Sequence, residues 1–168
     1  MIEDLDDLEE LFDDLGFDEP TPEQIFKMYS IFLNDFKKKT LIIRGKQVKY
    51  NSGLSNHYNY LFRNKSETFV HLITRDSKIK KMRDFDHQRA NRIHWIRPIL
   101  ENVNDSRIWY FEKLNEDNVM CEYYWYESRD FLVILKQIEP DVLLLTSFYV
   151  DKIEKSKYRR WYQDYKGI

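Results

Sequence analysis

Val119-Met120-Cys121-Glu122-Tyr123-Tyr124-Trp125-Tyr126-Glu127 is nine residues of aromatic and β-forming side chains with no glycine or proline, which reads as a strand. Runs of similar length flank it at Arg107–Leu114, Asp130–Ile138 and Val142–Val150. The connectors Asn115-Glu116-Asp117-Asn118, Ser128-Arg129 and Glu139-Pro140-Asp141 are turn-forming, and links this short join only antiparallel neighbours. The pattern predicts a four-stranded antiparallel meander. Alternation puts Val119, Cys121, Tyr123 and Trp125 on one face and Met120, Glu122, Tyr124 and Tyr126 on the other, the first being the expected core face. With helices packed on one face of that sheet, the fold class is α+β.

Upstream of the meander the chain reads as helices, a hairpin and a loop. Ile2, Leu5, Leu8, Leu11, Phe12 and Leu15 recur at amphipathic-helix spacing on an acidic background, and Gly16 ends the pattern. Thr21 then sits as N-cap with Pro22 at the first helical position, predicting a helix from Pro22 to about Lys38 that buries Ile25, Met28, Tyr29, Phe32 and Phe36. Together these predict an N-terminal helical hairpin with one acidic arm. Leu41-Ile42-Ile43, Arg44-Gly45-Lys46 and Gln47-Val48-Lys49-Tyr50 read as a short β-hairpin, and Asn51-Ser52-Gly53 opens a polar loop to about Ser66. Thr68–Thr74 is apolar over a length that fits either strand or helix. Asp84 is placed to cap a helix through Phe85, Ala90, Ile93 and Ile96, ending or kinking before Pro98.

At 168 residues, with 42% hydrophobic and 16% aromatic side chains, the chain has enough apolar area for one domain with a core. No stretch approaches the roughly 20 apolar residues of a membrane span, and the acidic start does not fit a secretion signal, so a cytoplasmic location without membrane contact is expected. The single Cys121 has no partner for a disulfide or a thiolate zinc site and reads as a core filler. Residues 1–19 carry ten acids and no base, which leaves 27 bases against 19 acids, a net of +8, over the rest of the chain. The organisation expected is an acidic amphipathic helical segment, 1–19, followed by a single α+β domain, 20–168. A basic body attracts polyanions, and RNA is the expected partner, although a charge run is also what a solvated surface looks like.

Four glycines, no glycine-rich phosphate loop and no spaced Cys/His cluster point away from nucleotide-driven or zinc-dependent chemistry, so neither metal nor other cofactor is expected. Acidic pairs such as Asp84 and Asp86 could in principle hold magnesium, but they sit where a helix N-terminus welcomes carboxylates anyway. Cleaving RNA without a metal needs a base for the 2′-hydroxyl proton, donors for the phosphorane and an acid for the leaving oxygen. Histidine suits the proton steps and arginine the phosphate. His71, Thr74, Arg75, Arg83, His87, Arg89, Arg92, His94 and Arg97 lie within 27 positions. Arg89 with Arg92, and His94 with Arg97, share a face if the segment is helical. An ordinary exposed helix carrying a packed histidine has the same composition.

Three stretches carry a resemblance: His71-Leu72-Ile73-Thr74-Arg75, then Phe85–Pro98 with Arg89-Ala90-Asn91-Arg92-Ile93-His94-Trp95-Ile96-Arg97 at its centre, and Leu143-Leu144-Leu145-Thr146-Ser147-Phe148-Tyr149. Over about residues 67–150 the chain resembles the phage- and mobile-element-encoded branch of the barnase/EndoU/colicin/RelE-like nuclease superfamily. The resemblance implies helices ahead of a four-stranded antiparallel sheet and a metal-independent endoribonuclease that cleaves by 2′-hydroxyl transphosphorylation. It nominates His71 as acid/base, Arg75 or Arg89 as the basic partner, and Thr146 and Tyr149 on the final strand. One departure stands out, because positions 146 and 149 of a regular strand point to opposite faces. Lys136 on the neighbouring strand is an alternative cation or an edge-protecting charge. Arg92 and Arg97 are expected phosphate contacts.

The two ends have their own readings. The acidic segment fits a phosphate mimic lying over the basic body, or a docking helix for a protein partner, since its apolar stripe needs a surface. In the tail, Arg159, Arg160, Trp161, Tyr162 and Tyr165 fit a base-stacking, phosphate-contacting element, or a terminal helix packed on the sheet. The rivals to a nuclease are a non-catalytic phage- or plasmid-borne interaction or inhibitor protein, and a simple nucleic-acid-binding module.

Overall fold

The computed structural model describes residues 4–77 and 82–168. Its architecture is α+β: a curled, mixed six-stranded sheet with helical elements on both faces. The four long strands fall where alternation puts them, β5 Ile108–Leu114, β6 Met120–Tyr126, β7 Phe131–Ile138 and β8 Asp141–Tyr149, each antiparallel to the next. They are not the whole sheet. A hairpin of β1 Ile42–Ile43 and β2 Lys46–Lys49 adds to its edge, with β2 parallel to β8 through Val48–Val142 and Lys49–Leu143, so the expected four-stranded antiparallel sheet becomes mixed. Arg44 and Gly45 make the hairpin turn at φ 51° and 78°, the left-handed pair that a two-residue turn needs.

The sheet buries both faces, which overturns the single core face and the one-sided helix layer. Tyr124 and Tyr126 join Phe131, Val133, Leu135 and Leu144 in the larger core, beside Met28 and Phe32 of α1 (Pro22–Leu33) and Phe69 of α2 (Glu67–Ile73). Cys121 and Trp125 lie on the opposite side with Phe111, Leu132 and Val150, covered by Tyr158 of α5, the terminal helix Lys152–Lys166. A central strand enclosed on both sides has no polar face to betray its orientation.

α1 starts with Thr21 as N-cap and Pro22 in the first turn, as the sequence predicts; Gln24 adds the reciprocal half of a capping box, and a π turn at Asn34–Lys38 completes the span. The acidic N-terminal helix does not form. Beyond one 3-10 turn at Leu5–Asp7 the segment to residue 19 has no helix, while Leu5 and Leu8 sit in the main core; Ile2 and Glu3 lie outside the described residues. Carboxylates four apart, Asp6 with Glu10, Glu9 with Asp13 and Glu10 with Asp14, repel in a helix. Stretched along the body, the same charges meet cations: Asp4 and Asp6 each lie 3.0 Å from Arg107, and Glu10 lies 3.1 Å from Arg92.

The middle segment is more broken than its pattern suggests. Thr68–Thr74 resolves into helix up to Ile73, followed by β3 Thr74–Asp76, which pairs with β4 Arg83–Phe85. Asp86, not Asp84, caps the next helix, α3 His87–Ala90, by accepting from the Arg89 N–H. A 3-10 turn at Ile93–Trp95 leads into α4 Ile96–Glu101, whose first turn contains Pro98, a position that lacks no hydrogen bond for want of an N–H. Among the described residues no helix is long and apolar enough to cross a membrane.

Candidate functional site

α2 carries His71 to a surface groove of about 430 Å³ lined by Ser55, His57, Tyr58, Glu67, Met82 and Arg83. On its other side the same histidine borders a smaller pocket of about 180 Å³ against Leu143, Leu144 and Leu145 of β8. There β8 carries a bulge: Leu135 pairs with Leu144 and Ile134 with Thr146, leaving Leu145 as the extra residue. Among the described residues none hydrogen-bonds the His71 ring. Burial, reinforced by Arg83 and Arg89 and opposed by Asp76, pushes its pKa down to about 4, so at neutral pH the imidazole is uncharged.

The arginines around it are largely engaged. Arg83 donates to the Thr74 hydroxyl and carbonyl, to the His71 carbonyl and to Asp76. Arg89 donates to the Thr74 carbonyl, while its Nε, sealed from solvent, has no hydrogen bond among the described residues and only an ion-pair contact with Asp86. Asp86 holds Arg75 at 3.6 Å and Arg89 at 3.5 Å, so the two guanidinium groups flank one carboxylate. Arg89 also lies 5.3 Å from the centroid of Phe148, which shares a sheet face with Thr146 because their partners Leu132 and Ile134 do.

His71, Arg75 and Arg89 therefore occupy one region at the bulged edge of β8. Thr146 belongs to the same strand edge, but its Oγ1 is enclosed with no partner and does not reach the groove. Tyr149 pairs with Phe131 on the opposite face and lies 5.0 Å under Arg92. The bulge precedes 146 instead of separating it from 149, so it does not bring these two side chains together.

The expected phosphate contacts are dispersed. Arg92 is bound to Glu10 and to the Gln88 carbonyl. Arg97 donates to the carbonyls of Asp35, Lys39 and Thr40 at the end of the first helix, so it closes a helix terminus instead of facing a ligand. Lys136 stands opposite Cys121 and Leu143 on β7, away from the other cations. Arg159 holds Glu127 at 2.6 Å, and Arg160 is exposed on α5, the helix that packs on the sheet through Tyr158, Trp161 and Tyr162. His87 packs against Phe17 with the rings tilted by 42°, and His94 meets the Glu9 carbonyl, so neither shares the His71 groove.

Among the described residues the acidic segment offers no free apolar stripe. Leu5 and Leu8 are in the core, Leu11, Phe12 and Leu15 pack against it, and Arg129 donates to the carbonyls of Asp6 and Leu8. Among the described residues no group of three or more His, Cys, Asp or Glu side chains gathers as a metal site would require.

Sequence reasoning passed over His57, Tyr58, Glu67 and Met82, which line the groove. The available signal was His57-Tyr58-Asn59-Tyr60, two exposed aromatics beside a histidine in an otherwise polar loop. Compared with protein-family models, with curated proteins and with solved structures, the chain matches none.

Proposed function

We propose that the chain is a metal-independent endoribonuclease working from the His71 groove. The observation that supports this reading is an imidazole kept neutral by burial and by the nearby Arg83 and Arg89, free of hydrogen-bond partners among the described residues, and opening into a groove that Arg83 also lines. The neutral ring accepts the proton of a 2′-hydroxyl. The 2′ oxygen then attacks phosphorus, and the bond to the 5′ oxygen breaks, leaving a 2′,3′-cyclic phosphate and a 5′-hydroxyl. The imidazolium so formed, destabilised by burial and by two guanidinium groups, is a strong acid and returns its proton to the departing 5′ oxygen. Arg75 and Arg89, fixed side by side on Asp86, supply positive charge to the phosphorane, where a few preorganised donors contribute on the order of 10²–10³ in rate. Thr146 and Tyr149 take no part in this scheme.

The test is cleavage of end-labelled RNA by the full chain in excess chelator. The expected result is cyclic-phosphate ends from the wild type, a drop of about 10²–10⁴ in His71→Ala, and no base-limb change between pH 5 and 8. Equal cutting by His71→Ala and wild type would remove the proposal.

A further inference from the structure

We propose that the loop 51–66 is a stacking platform for an unpaired nucleobase, so that the groove takes single-stranded and not duplex RNA. The inference rests on the reading of the groove as an RNA site but not on His71 being catalytic. Four rings run from the surface to the core: Tyr58 stacks on His57 at 4.3 Å and 29°, His57 meets Phe62 edge-on at 5.1 Å, and Phe62 stacks on Phe85 at 5.9 Å. Tyr58 nonetheless remains 53% exposed and lines the groove. Met82, 41% exposed, lines the same groove as an apolar contact for a flat ligand.

The platform is rigid before any ligand arrives. Arg63 donates to the carbonyls of His57 and Tyr58, the Ser55 N–H donates to the Lys65 carbonyl at 2.7 Å, and the Asn64 N–H donates to the Ser55 carbonyl at 2.9 Å. The His57 ring is clamped at both nitrogens: Nδ1 accepts from the Asn59 N–H at 3.0 Å, which fixes Nε2 as the donor to the Arg83 carbonyl at 2.7 Å. A ring held this way cannot shuttle protons, and its role is to hold Tyr58. Preorganisation spares the ordering cost that weakens binding by mobile loops. Glu67 supplies an acceptor on the groove wall for an exocyclic amino group, and Arg83 puts positive charge on the same wall. A paired base has neither its stacking face nor its amino edge available.

The experiment is fluorescence anisotropy with a labelled 2′-O-methyl RNA 12-mer, which lacks the nucleophile and cannot be cut. Wild type, Tyr58→Phe and Tyr58→Ala are compared, on the single strand and on its duplex. Tyr58→Ala is expected to weaken single-strand binding by about 5- to 150-fold, the equivalent of roughly 1–3 kcal/mol for one stacked base, with Tyr58→Phe close to wild type. The duplex is expected to bind more weakly than the single strand to the wild type and equally to all three proteins. Equal single-strand affinity for Tyr58→Ala and wild type overturns the proposal, as does a duplex that binds as tightly as the single strand. Binding that behaves as expected in a protein that leaves natural RNA intact would end the catalytic reading alone.

Discussion

Arg44 stands 3.5 Å from the centroid of the Tyr110 ring, although the two belong to opposite edges of one six-stranded sheet. Arg44 lies in the turn between β1 and β2, and Tyr110 on β5, so the contact records how far the sheet curls. The same guanidinium lies 5.7 Å from Tyr124, and the hydroxyls of these two tyrosines donate to Glu112 and Glu122. Arg44→Ala should cost about 0.5–2 kcal/mol of cation–π attraction. It also keeps a side chain at a left-handed φ of 51°, whereas Arg44→Gly relieves roughly 1 kcal/mol of that strain. Urea denaturation should therefore rank wild type above Arg44→Ala, and Arg44→Gly above Arg44→Ala. Equal midpoints for Arg44→Ala and wild type would show that the edges are held by the strand ladder alone.

How much of this was legible varies with the range of the interaction. Thr21, Pro22 and Gln24 form a cap whose chemistry is complete within four residues, and Arg44-Gly45 needs only its own backbone, so both could be read from the chain. The four long strands likewise announce themselves through local turns. What stayed hidden depends on distant partners. The parallel pairing of β2 with β8 joins Val48 to Val142, and no local feature of either residue encodes it. Leu5 and Leu8 have helical spacing, yet Arg107, Arg92 and Arg129 from across the sequence make the stretched path better than a helix of repelling carboxylates. In the site, His71 and its arginine neighbours are close enough in sequence to be nominated together, while His57 and Tyr58 reach the groove only through the fold.

Arg97 is the clearest case of a cation that looks like a ligand group and acts as structure. Its fork serves three carbonyls on one side and Glu101 at 3.3 Å on the other. Lysine keeps the charge but not the planar set of donors. Arg97→Lys should lower stability by about 1 kcal/mol, the net worth of hydrogen bonds lost at carbonyls that water can reach, and leave RNA affinity unchanged. Chemical denaturation and anisotropy on the same preparations check both halves, and a loss of affinity without a loss of stability would return Arg97 to the ligand surface.

Leu8 is 1% exposed, so the acidic segment contributes to the core and is not an appendage. Leu8→Ala should cost about 2–5 kcal/mol. Removing charge instead, as Glu10→Gln, breaks only a pair whose glutamate is half exposed and should cost less than about 1 kcal/mol. Thermal unfolding separates the two. If Leu8→Ala melts with the wild type, the segment is detachable after all, and the docking reading regains its free apolar surface.

Two titrations oppose each other in the acid range, and separating them tests the environment of His71 directly. His71 takes up its proton near pH 6.5 when unfolded and near 4 when folded, where burial, Arg83 and Arg89 resist the charge. Between those values the unfolded chain holds more protons, so the folded state gains stability as pH rises. Asp35 behaves in the opposite sense: burial lifts its pKa from 3.8 to about 6 against the pull of Arg97 and Lys39, so from pH 3.8 to 6 the folded chain holds more protons and loses stability as pH rises. The two slopes cancel between about pH 4 and 6 and leave a rise only from about 6 to 6.5. Removing one group should expose the other. Relative to wild type, Asp35→Asn should gain stability as pH is raised from 4 to 6, and His71→Gln should lose it over the same range, each by on the order of 2–3 kcal/mol. Urea midpoints at pH 4, 5, 6 and 7 measure both. If the His71→Gln curve runs parallel to wild type, the imidazole titrates at its ordinary value in the folded protein. The reaction would then show a base limb near pH 6.5, and its expected independence of pH between 5 and 8 would be lost.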